Sequence, residues 1–126
     1  MTSRRDRALA WWVPAAPLPP DEPPQARWLA NHAVSSMRAV GGTLIATTLR
    51  LRFTPNRVDR ALGGKVWEVP MGAIAAIELA PVSLKAFFGG GLRRRLRVVT
   101  SDGAPHLFVV NDVTRVRADL RALCAR

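Results

Sequence analysis

The sequence predicts a small, mainly β domain in which seven short strands are closed by one C-terminal helix. Three observations predict it: apolar and polar residues alternate over short runs, turn signals separate those runs, and only the last run has helical spacing. The chain has 126 residues, 48% of them hydrophobic, which suits one domain and excludes collagen and wholesale disorder. The expected architecture is a small barrel or sandwich with one end plugged by the helix.

A change in composition divides the chain into a tail and a domain. Six of the ten prolines lie between Pro14 and Pro24, whereas all nine glycines lie at Gly41 or later. We therefore predict that residues 1–25 form a Pro-rich, Trp-containing tail and that residues 26–126 form the folded domain.

Within the tail, residues 14–25 are expected to be an extended linker rather than packed structure. Trp11 and Trp12 have three interpretations: they cap the folded domain, dip into a membrane surface, or touch a partner. The apolar run before Pro14 has six residues, which is too short for the core of a signal peptide. No run approaches the roughly 20 residues of a transmembrane helix. We expect a cytoplasmic protein, with peripheral attachment to the inner membrane face.

Alternation of apolar and polar residues places the strands. They are predicted at residues 27–34, 37–46, 49–53, 66–69, 74–79, 96–100 and 106–110. In the third strand, Leu49, Leu51 and Phe53 are expected on the core face. Arg50 and Arg52 then lie on the opposite face.

Glycines predict the turns, and the spacing of apolar residues near the C-terminus predicts the helix. Gly41 and Gly42 indicate a bulge or bend, and Asp102-Gly103 indicates a hairpin turn. The C-terminal helix is predicted from Val113, Val116, Leu120 and Leu123.

Seven short motifs follow one another along the chain. They are residues 30–32 (ANH), 40–44 (VGGTL), 50–56 (RLRFTPN), 69–74 (VPMGAI), 88–92 (FGGGL), 100–103 (TSDG) and 108–111 (FVVN). In order and spacing, residues 22–124 resemble bacterial GRAM-domain proteins. The resemblance implies a pleckstrin-homology-like fold, a seven-stranded partial barrel of two packed antiparallel sheets capped by a C-terminal α-helix. It also implies a non-enzymatic module that associates with membrane lipids or proteins.

The residues do not form a catalytic or metal-binding pattern. A nucleophile needs a neighbouring base, yet the two histidines, His32 and His106, each lie on a predicted strand, and no third metal ligand accompanies them. Cys124 lies in the last helical turn, where we expect it to pack as a small hydrophobe. Paired acids and phosphate-binding loops are absent from the sequence. We therefore expect that the chain is not an enzyme and that it binds no cofactor and no metal.

Positive charge is the strongest functional signal. The net charge is +10, and it belongs to residues 27–126, because residues 1–26 hold three arginines and three acids. The densest cluster, residues 93–97, directly follows residues 87–92 (FFGGGL), and we expect its four cationic groups near solvent. The candidate residues for an anionic surface are Arg93, Arg94, Arg95, Arg97, Arg57, Arg60 and Lys65, with Phe87, Phe88, Trp11 and Trp12 as weaker membrane or partner contacts.

Two interpretations of this cluster remain open: a solvated basic face, or a landing site for acidic headgroups. The phenylalanines either insert into lipid or fold back onto the core. The first hypothesis is an adaptor that associates weakly with anionic lipid headgroups or an acidic protein. The alternative is a protein-binding module that uses the Pro-rich tail or a sheet edge. Nucleic-acid binding ranks third, because aromatic residues do not interleave with the basic run.

Overall fold

Antiparallel strand pairing organises the described chain. The computed structural model describes residues 11–14, 16–35, 38–56, 66–81 and 94–125, without the side chains of residues 34, 35 and 38. The elements are β1 (Trp12–Val13), β2 (Ala26–Ser35), β3 (Arg38–Ala46), β4 (Arg50–Pro55), β5 (Val66–Pro70), a 3₁₀ turn (Met71–Ala73), β6 (Ile74–Ala80), β7 (Arg95–Thr100), β8 (Pro105–Val110) and α1 (Val113–Cys124). Each of the seven strands predicted from the sequence is present, together with the helix.

The eight described strands form one continuous hydrogen-bonded sheet. Its strand order is β1-β5-β4-β3-β2-β8-β7-β6. The two halves join because the long strand β2 pairs along one edge with β3 and along the other with β8. The eighth strand, β1, comes from the tail and pairs with β5.

The core lies on the inner face of this sheet, under the helix. Inner-face side chains such as Leu44, Phe53 and Trp67 are fully buried. Helix α1 packs on β6, β7 and β8 and buries Val116 and Leu120. Among the residues described, no helix has the length and apolarity to cross a membrane.

Cys124 packs where the sequence predicts. It is half-buried at the end of α1, and its thiol donates to the Met71 Sδ atom at 3.6 Å. Burial raises the pKa of the Cys124 thiol, which favours its protonated form.

The described part of the tail, which we expected to be an extended linker, contacts the sheet at several points. β1 occupies the edge beside β5, while the next strand, β2, lies on the far side of β3, so the connection must pass over three strands. Residues 16–25, which we call the strap, make this crossing on the outer face of the sheet. The strap ends where the Gln25 backbone N–H donates to the Ala46 carbonyl at 2.7 Å.

Leu49 does not lie in the core as predicted. It is 61% exposed and belongs to the turn between β3 and β4. The Thr47 hydroxyl oxygen accepts the backbone N–H groups of Leu49 and Arg50 at 3.1 and 3.0 Å. This local bonding holds the turn, so the strand begins one residue later than the alternation suggests.

Of the predicted bulge or bend, the bulge is absent at Gly42, which lies in regular pairing between β2 and β3. A Cβ atom there would lie 2.8 Å from the Pro55 Cα and 2.9 Å from the Phe53 ring, and would collide with the Thr54 carbonyl. The glycine is therefore required by close approach of β4. The predicted hairpin turn is confirmed: Gly103 has φ 84° and donates its N–H to the Thr100 carbonyl at 2.8 Å.

Candidate functional site

The structure places five of the sequence-predicted site residues. Arg57, Arg60, Lys65, Phe87, Phe88 and Arg93 lie outside the described residues. The placed residues are Arg94, Arg95, Arg97, Trp11 and Trp12. The three arginines and the two tryptophans belong to different parts of the molecule.

Arg94, Arg95 and Arg97, which we call the arginine face, lie at the beginning of β7. Leu96 and Val98 are fully buried in the core, so the alternation of the strand directs Arg95 and Arg97 to the outer face. Arg94 is exposed immediately before the strand.

The neighbouring edge strand β6 supplies one acid to this face. Glu78 pairs with Arg97 across the two strands, and the Arg97 Nη1 to Glu78 Oε2 distance is 3.4 Å. The side chains are 37% and 46% exposed, so solvent screens the pair. The pair therefore contributes little to stability.

Arg95 departs from the expectation that all cations of this cluster lie near solvent. It is 5% exposed, and its Nη2 donates to the Pro81 carbonyl at 3.2 Å. Within the described ranges, its buried Nε has no hydrogen-bond partner. Burial, with the nearby Arg97 charge, lowers the pKa of Arg95. Alternation alone predicts the outer face correctly but not how deeply a side chain on that face is covered.

A second cluster of charges, which the sequence analysis missed, lies beneath the strap. Arg52 is 7% exposed, and its Nε and Nη2 lie 2.7 and 2.6 Å from one oxygen of Glu68. Its Nη1 donates to the Ala16 carbonyl in the strap. The strand pairing that sets Arg52 opposite Glu68 could have indicated the pair, but the strap contact is 36 residues away in sequence.

Arg50 extends this cluster to the far end of the strap. Its Nε lies 2.7 Å from Glu22, whose side chain is only 3% exposed, and its Nη1 lies 3.3 Å from Glu68. Burial alone would lower the pKa of Arg50, but the two carboxylates more than offset it and raise that pKa. Two arginines and two glutamates thus neutralise one another under the strap.

A groove of about 720 Å³ runs between the strap and the outer face of the sheet. Its walls combine strap prolines with Ile45, Thr54 and Val66. Because Arg52 is already held by Glu68 and Ala16, the groove presents mainly apolar walls rather than an anion site.

Trp11 and Trp12 cap the domain, the first of the three interpretations. The Trp11 indole N–H lies 3.2 Å from both the Thr100 hydroxyl oxygen and the Asp102 carboxylate. The Trp12 ring stacks on His32 with centroids 5.3 Å apart. The tail thereby contacts the β7–β8 turn as well as β5.

Asp102 is the centre of the polar contacts under Trp11. Burial would raise the pKa of this carboxyl, but donors from Thr100, the Ala104 backbone and Trp11 lower it instead. Thr100 also lies 3.4 Å from His106 Nε2. A hydroxyl, an imidazole and a carboxylate therefore meet here. Thr100 is only 1% exposed, so its oxygen faces the interior rather than a substrate cleft.

The two histidines lie in the same aromatic cluster, with ring centroids 6.3 Å apart. Burial, aided by the charge of the other histidine, lowers the pKa of His32 to about 3. Burial also lowers the pKa of His106 to about 4, although Asp102 opposes the shift. Both are thus neutral near pH 7. Within the described ranges, no three His, Cys, Asp or Glu side chains are grouped to hold a metal ion.

Comparison with known proteins reveals similarity of structure rather than of sequence. No protein-family model and no curated protein matches the chain. A C-terminal domain of an unknown protein from Leishmania infantum superimposes with a TM-score of 0.65 at 15% identity, over 84% of this chain and 87% of that one. The hSac2 domain of the human phosphoinositide phosphatase Sac2 gives 0.54 at 18% identity, over 84% and 70%. The chain has a mainly β, pleckstrin-homology-like fold with a C-terminal helix.

Proposed function

We propose that this chain is a non-enzymatic, GRAM-type binding module that attaches weakly to an anionic membrane surface through its arginine face. The supporting observation is the local imbalance of charge. Among the described residues, Arg94, Arg95 and Arg97 share a single ion-pairing carboxylate, Glu78. The arginines under the strap, in contrast, are matched by carboxylates. The motif order noted in the sequence supports the GRAM assignment, and the proposed location is the inner membrane face.

The size of this effect makes the attachment weak. Each Lys or Arg near an anionic surface contributes about 1 kcal/mol, so three arginines contribute about 3 kcal/mol. Free energies of that size correspond to dissociation constants above about 1 mM. Binding should therefore fall steeply as salt is added, because screening acts within roughly 10 Å at 0.1 M ionic strength.

Sedimentation with vesicles tests the proposal. Vesicles of phosphatidylcholine containing phosphatidylglycerol should retain the protein at low salt, and pure phosphatidylcholine should not. Replacing both exposed cations of the face, Arg94→Glu and Arg97→Glu, should abolish retention. The matched control is Arg27→Glu with Arg115→Glu, which makes the same charge change at two exposed sites elsewhere.

Two results would contradict the proposal. Equal recovery on neutral and anionic vesicles would show that charge does not drive attachment. An equal loss in the control pair would show that net charge, rather than this face, is responsible.

A second candidate function is peptide binding at the edge of the sheet. Strand β6 ends the strand order, and within the described chain it pairs with β7 alone. A groove of about 430 Å³ lies between β6 and the C-terminal end of α1. The Arg121 Nε donates to the Ile77 carbonyl at 3.0 Å, so one backbone acceptor of the edge is covered by the helix. An extended peptide could add to β6 by taking the place of that bond.

Amide hydrogen exchange tests this candidate. Peptides selected from a random library for binding should slow exchange in residues 74–80, and Arg121→Ala should strengthen their binding by removing the competing donor. Arg117→Ala, a neighbouring change in the same helix, should have no effect. Protection confined to other strands would eliminate the sheet edge as the site.

A further inference from the structure

A groove on the outer face of the sheet, which we call the amide groove, brings together residues from four separate sequence motifs. It has a volume of about 330 Å³ and lies near the middle of the strand order, where β2 is flanked by β3 and β8. The polar residues that line it are Asn31, Thr43, Asn56 and Asn111. It shares no residue with the arginine face or with the cluster under the strap.

Strand pairing places Asn31 at the centre of the amide groove. Its neighbours on β2, Ala30 and His32, are both buried, so the alternation of the strand directs Asn31 to the outer face. Asn31 lies opposite Gly41 on β3 and opposite Val109 on β8. Because Gly41 carries no side chain, the space above it remains open.

The other polar residues reach the amide groove from three further segments. Thr43 lies opposite Leu29, which is 77% exposed on the same face. Asn56 is fixed at the end of β4 because its backbone N–H donates to the Gly41 carbonyl at 2.9 Å. Asn111 directly follows β8.

The chemistry of the amide groove suits an uncharged ligand. None of the described residues that line it carries a charge, and an ion placed there would lose water without meeting a counter-charge. Asparagine amides and the threonine hydroxyl both donate and accept hydrogen bonds. A matching ligand must therefore offer donors and acceptors side by side, as hydroxyl groups do.

The surrounding structure favours a compact ring over an extended peptide. Strands β2, β3 and β8 lie inside the sheet rather than at its edge, so recognition depends on side chains and not on strand addition. Apolar surface borders the polar groups at Leu29 and at Val109, which is 5% exposed. A sugar ring combines polar hydroxyl groups with apolar C–H groups. The volume also lies at the lower end of the roughly 300–1,000 Å³ of small-molecule sites.

We propose that the amide groove binds a neutral saccharide. The asparagine amides and the Thr43 hydroxyl bond to its hydroxyl groups, and Leu29 contacts a face of the ring. This site goes beyond the proposed function and does not depend on it. Because neither the groove nor the ligand carries a charge, binding should be insensitive to salt, unlike attachment to an anionic surface.

Nuclear magnetic resonance titration of the isotope-labelled full chain tests the site, since each asparagine side-chain NH₂ group gives its own signals. The probes are glucose, galactose, mannose and N-acetylglucosamine. At least one should shift the side-chain signals of Asn31, Asn56 and Asn111 in a saturable way, equally at low and high salt. Sorbitol, which has hydroxyl groups but no ring, should cause no saturable shift. The absence of a saturable shift with all four sugars, or an equal shift with sorbitol, would overturn the proposal.

Two substitutions remove single hydrogen-bonding groups from the amide groove. Thr43→Val and Asn31→Ala should each weaken binding of the sugar that shifts the asparagine signals by about twofold to tenfold, the range for one hydrogen bond. Thr114→Val makes the same change as Thr43→Val at an exposed helix position and should leave the affinity unchanged. The backbone amide signals report whether each variant is folded.

Two further results would count against a saccharide. If Asn31→Ala does not fold, Thr43→Val and Leu29→Ala provide the decision, and full affinity in both would overturn the proposal. A neutral peptide, acetyl-trialanine amide, is the competing probe. If it saturates the same asparagine signals at lower concentration than every sugar, the groove is a peptide site and the saccharide proposal is overturned.

Discussion

Two arginines on the outer face of the sheet are almost equally buried, yet their surroundings differ. Arg52 is 7% exposed and Arg95 is 5% exposed. Arg52 has two close contacts to Glu68 and donates to the Ala16 carbonyl. Arg95 donates to the Pro81 carbonyl, and its Nε has no hydrogen-bond partner among the described residues.

The difference shows that burial alone does not reveal the role of a charged residue. Where the chain supplies its own counter-ions, the buried charge holds two segments together, as Arg52 holds the strap to the sheet. Where the described chain supplies none, as at Arg95, burial and the nearby Arg97 charge lower the pKa of the guanidinium instead.

The largest effect is expected from Glu68→Gln, which keeps the shape but removes the negative charge. Arg52 would then be buried without a counter-ion, and such changes cost about 3–5 kcal/mol of unfolding free energy. Glu68 is 17% exposed, so we expect the lower end of this range. Chemical denaturation measures the loss. Asp119→Asn, at an exposed helix position, should change stability little, and an equal loss in both variants would show that the pairing with Arg52 is unimportant.

Acid should destabilise the end of the domain covered by the tryptophans. The folded-state pKa values of His32 and His106 are about 3 and about 4, below the ordinary 6.5. The stability that their neutral forms contribute is therefore complete above pH 6.5 and is lost as pH falls from there toward the folded-state values. The slope approaches about 1.4 kcal/mol per pH unit for each histidine.

Urea titrations between pH 7 and 5 measure this loss. His106→Asn should reduce the change in unfolding free energy between pH 7 and 5 by about half. An unchanged unfolding free energy across this range would contradict the burial of the two imidazoles.

A smaller effect is expected for Trp12→Ala, which removes the ring stacked on His32. Deleting a core aromatic costs about 3–5 kcal/mol, and for this half-buried ring we expect about 2 kcal/mol. Water would also reach His32, so stability should depend less on pH between 6.5 and 5. Leu29→Ala is the control, because Leu29 is 77% exposed. Equal losses in the two variants would show that Trp12 does not seal this end.

Patterns among residues close in sequence predicted the strands and the helix. The charged cluster under the strap depends instead on contacts between residues far apart in sequence. Alternation and turn residues located seven strands and the helix, since each depends on neighbours in sequence. The strap could not be predicted, because it requires Glu22 to meet Arg50 and Ala16 to meet Arg52 across the sheet.

The arginine run was predicted as a cluster, but alternation does not report depth. The sequence therefore indicated the outer face for Arg95 and Arg97 correctly and missed that Arg95 is covered. The same limit explains Leu49, which has the spacing of a core residue but lies in a turn held by Thr47.

The smallest change in stability, and the sharpest functional contrast with Glu68, is expected for Glu78→Gln. The Arg97–Glu78 pair is exposed and 3.4 Å long, and such pairs contribute about 0–1 kcal/mol. The free energy of unfolding should therefore change by less than about 0.5 kcal/mol. Binding to anionic vesicles should increase, because the face loses its carboxylate and Arg97 is released; one charge near such a surface is worth about 1 kcal/mol, or roughly fivefold in affinity.

Asp119→Asn makes the same charge change on the helix and separates a local from a global effect. If both variants bind equally more tightly, net charge governs attachment. If only Glu78→Gln binds more tightly, the carboxylate beside Arg97 sets the affinity of the arginine face for the vesicles. In the same way, the carboxylate beside Arg52 contributes to the stability of the contact between strap and sheet. An arginine–glutamate pair would then stabilise the folded state where it is buried and limit binding to anionic vesicles where it is exposed.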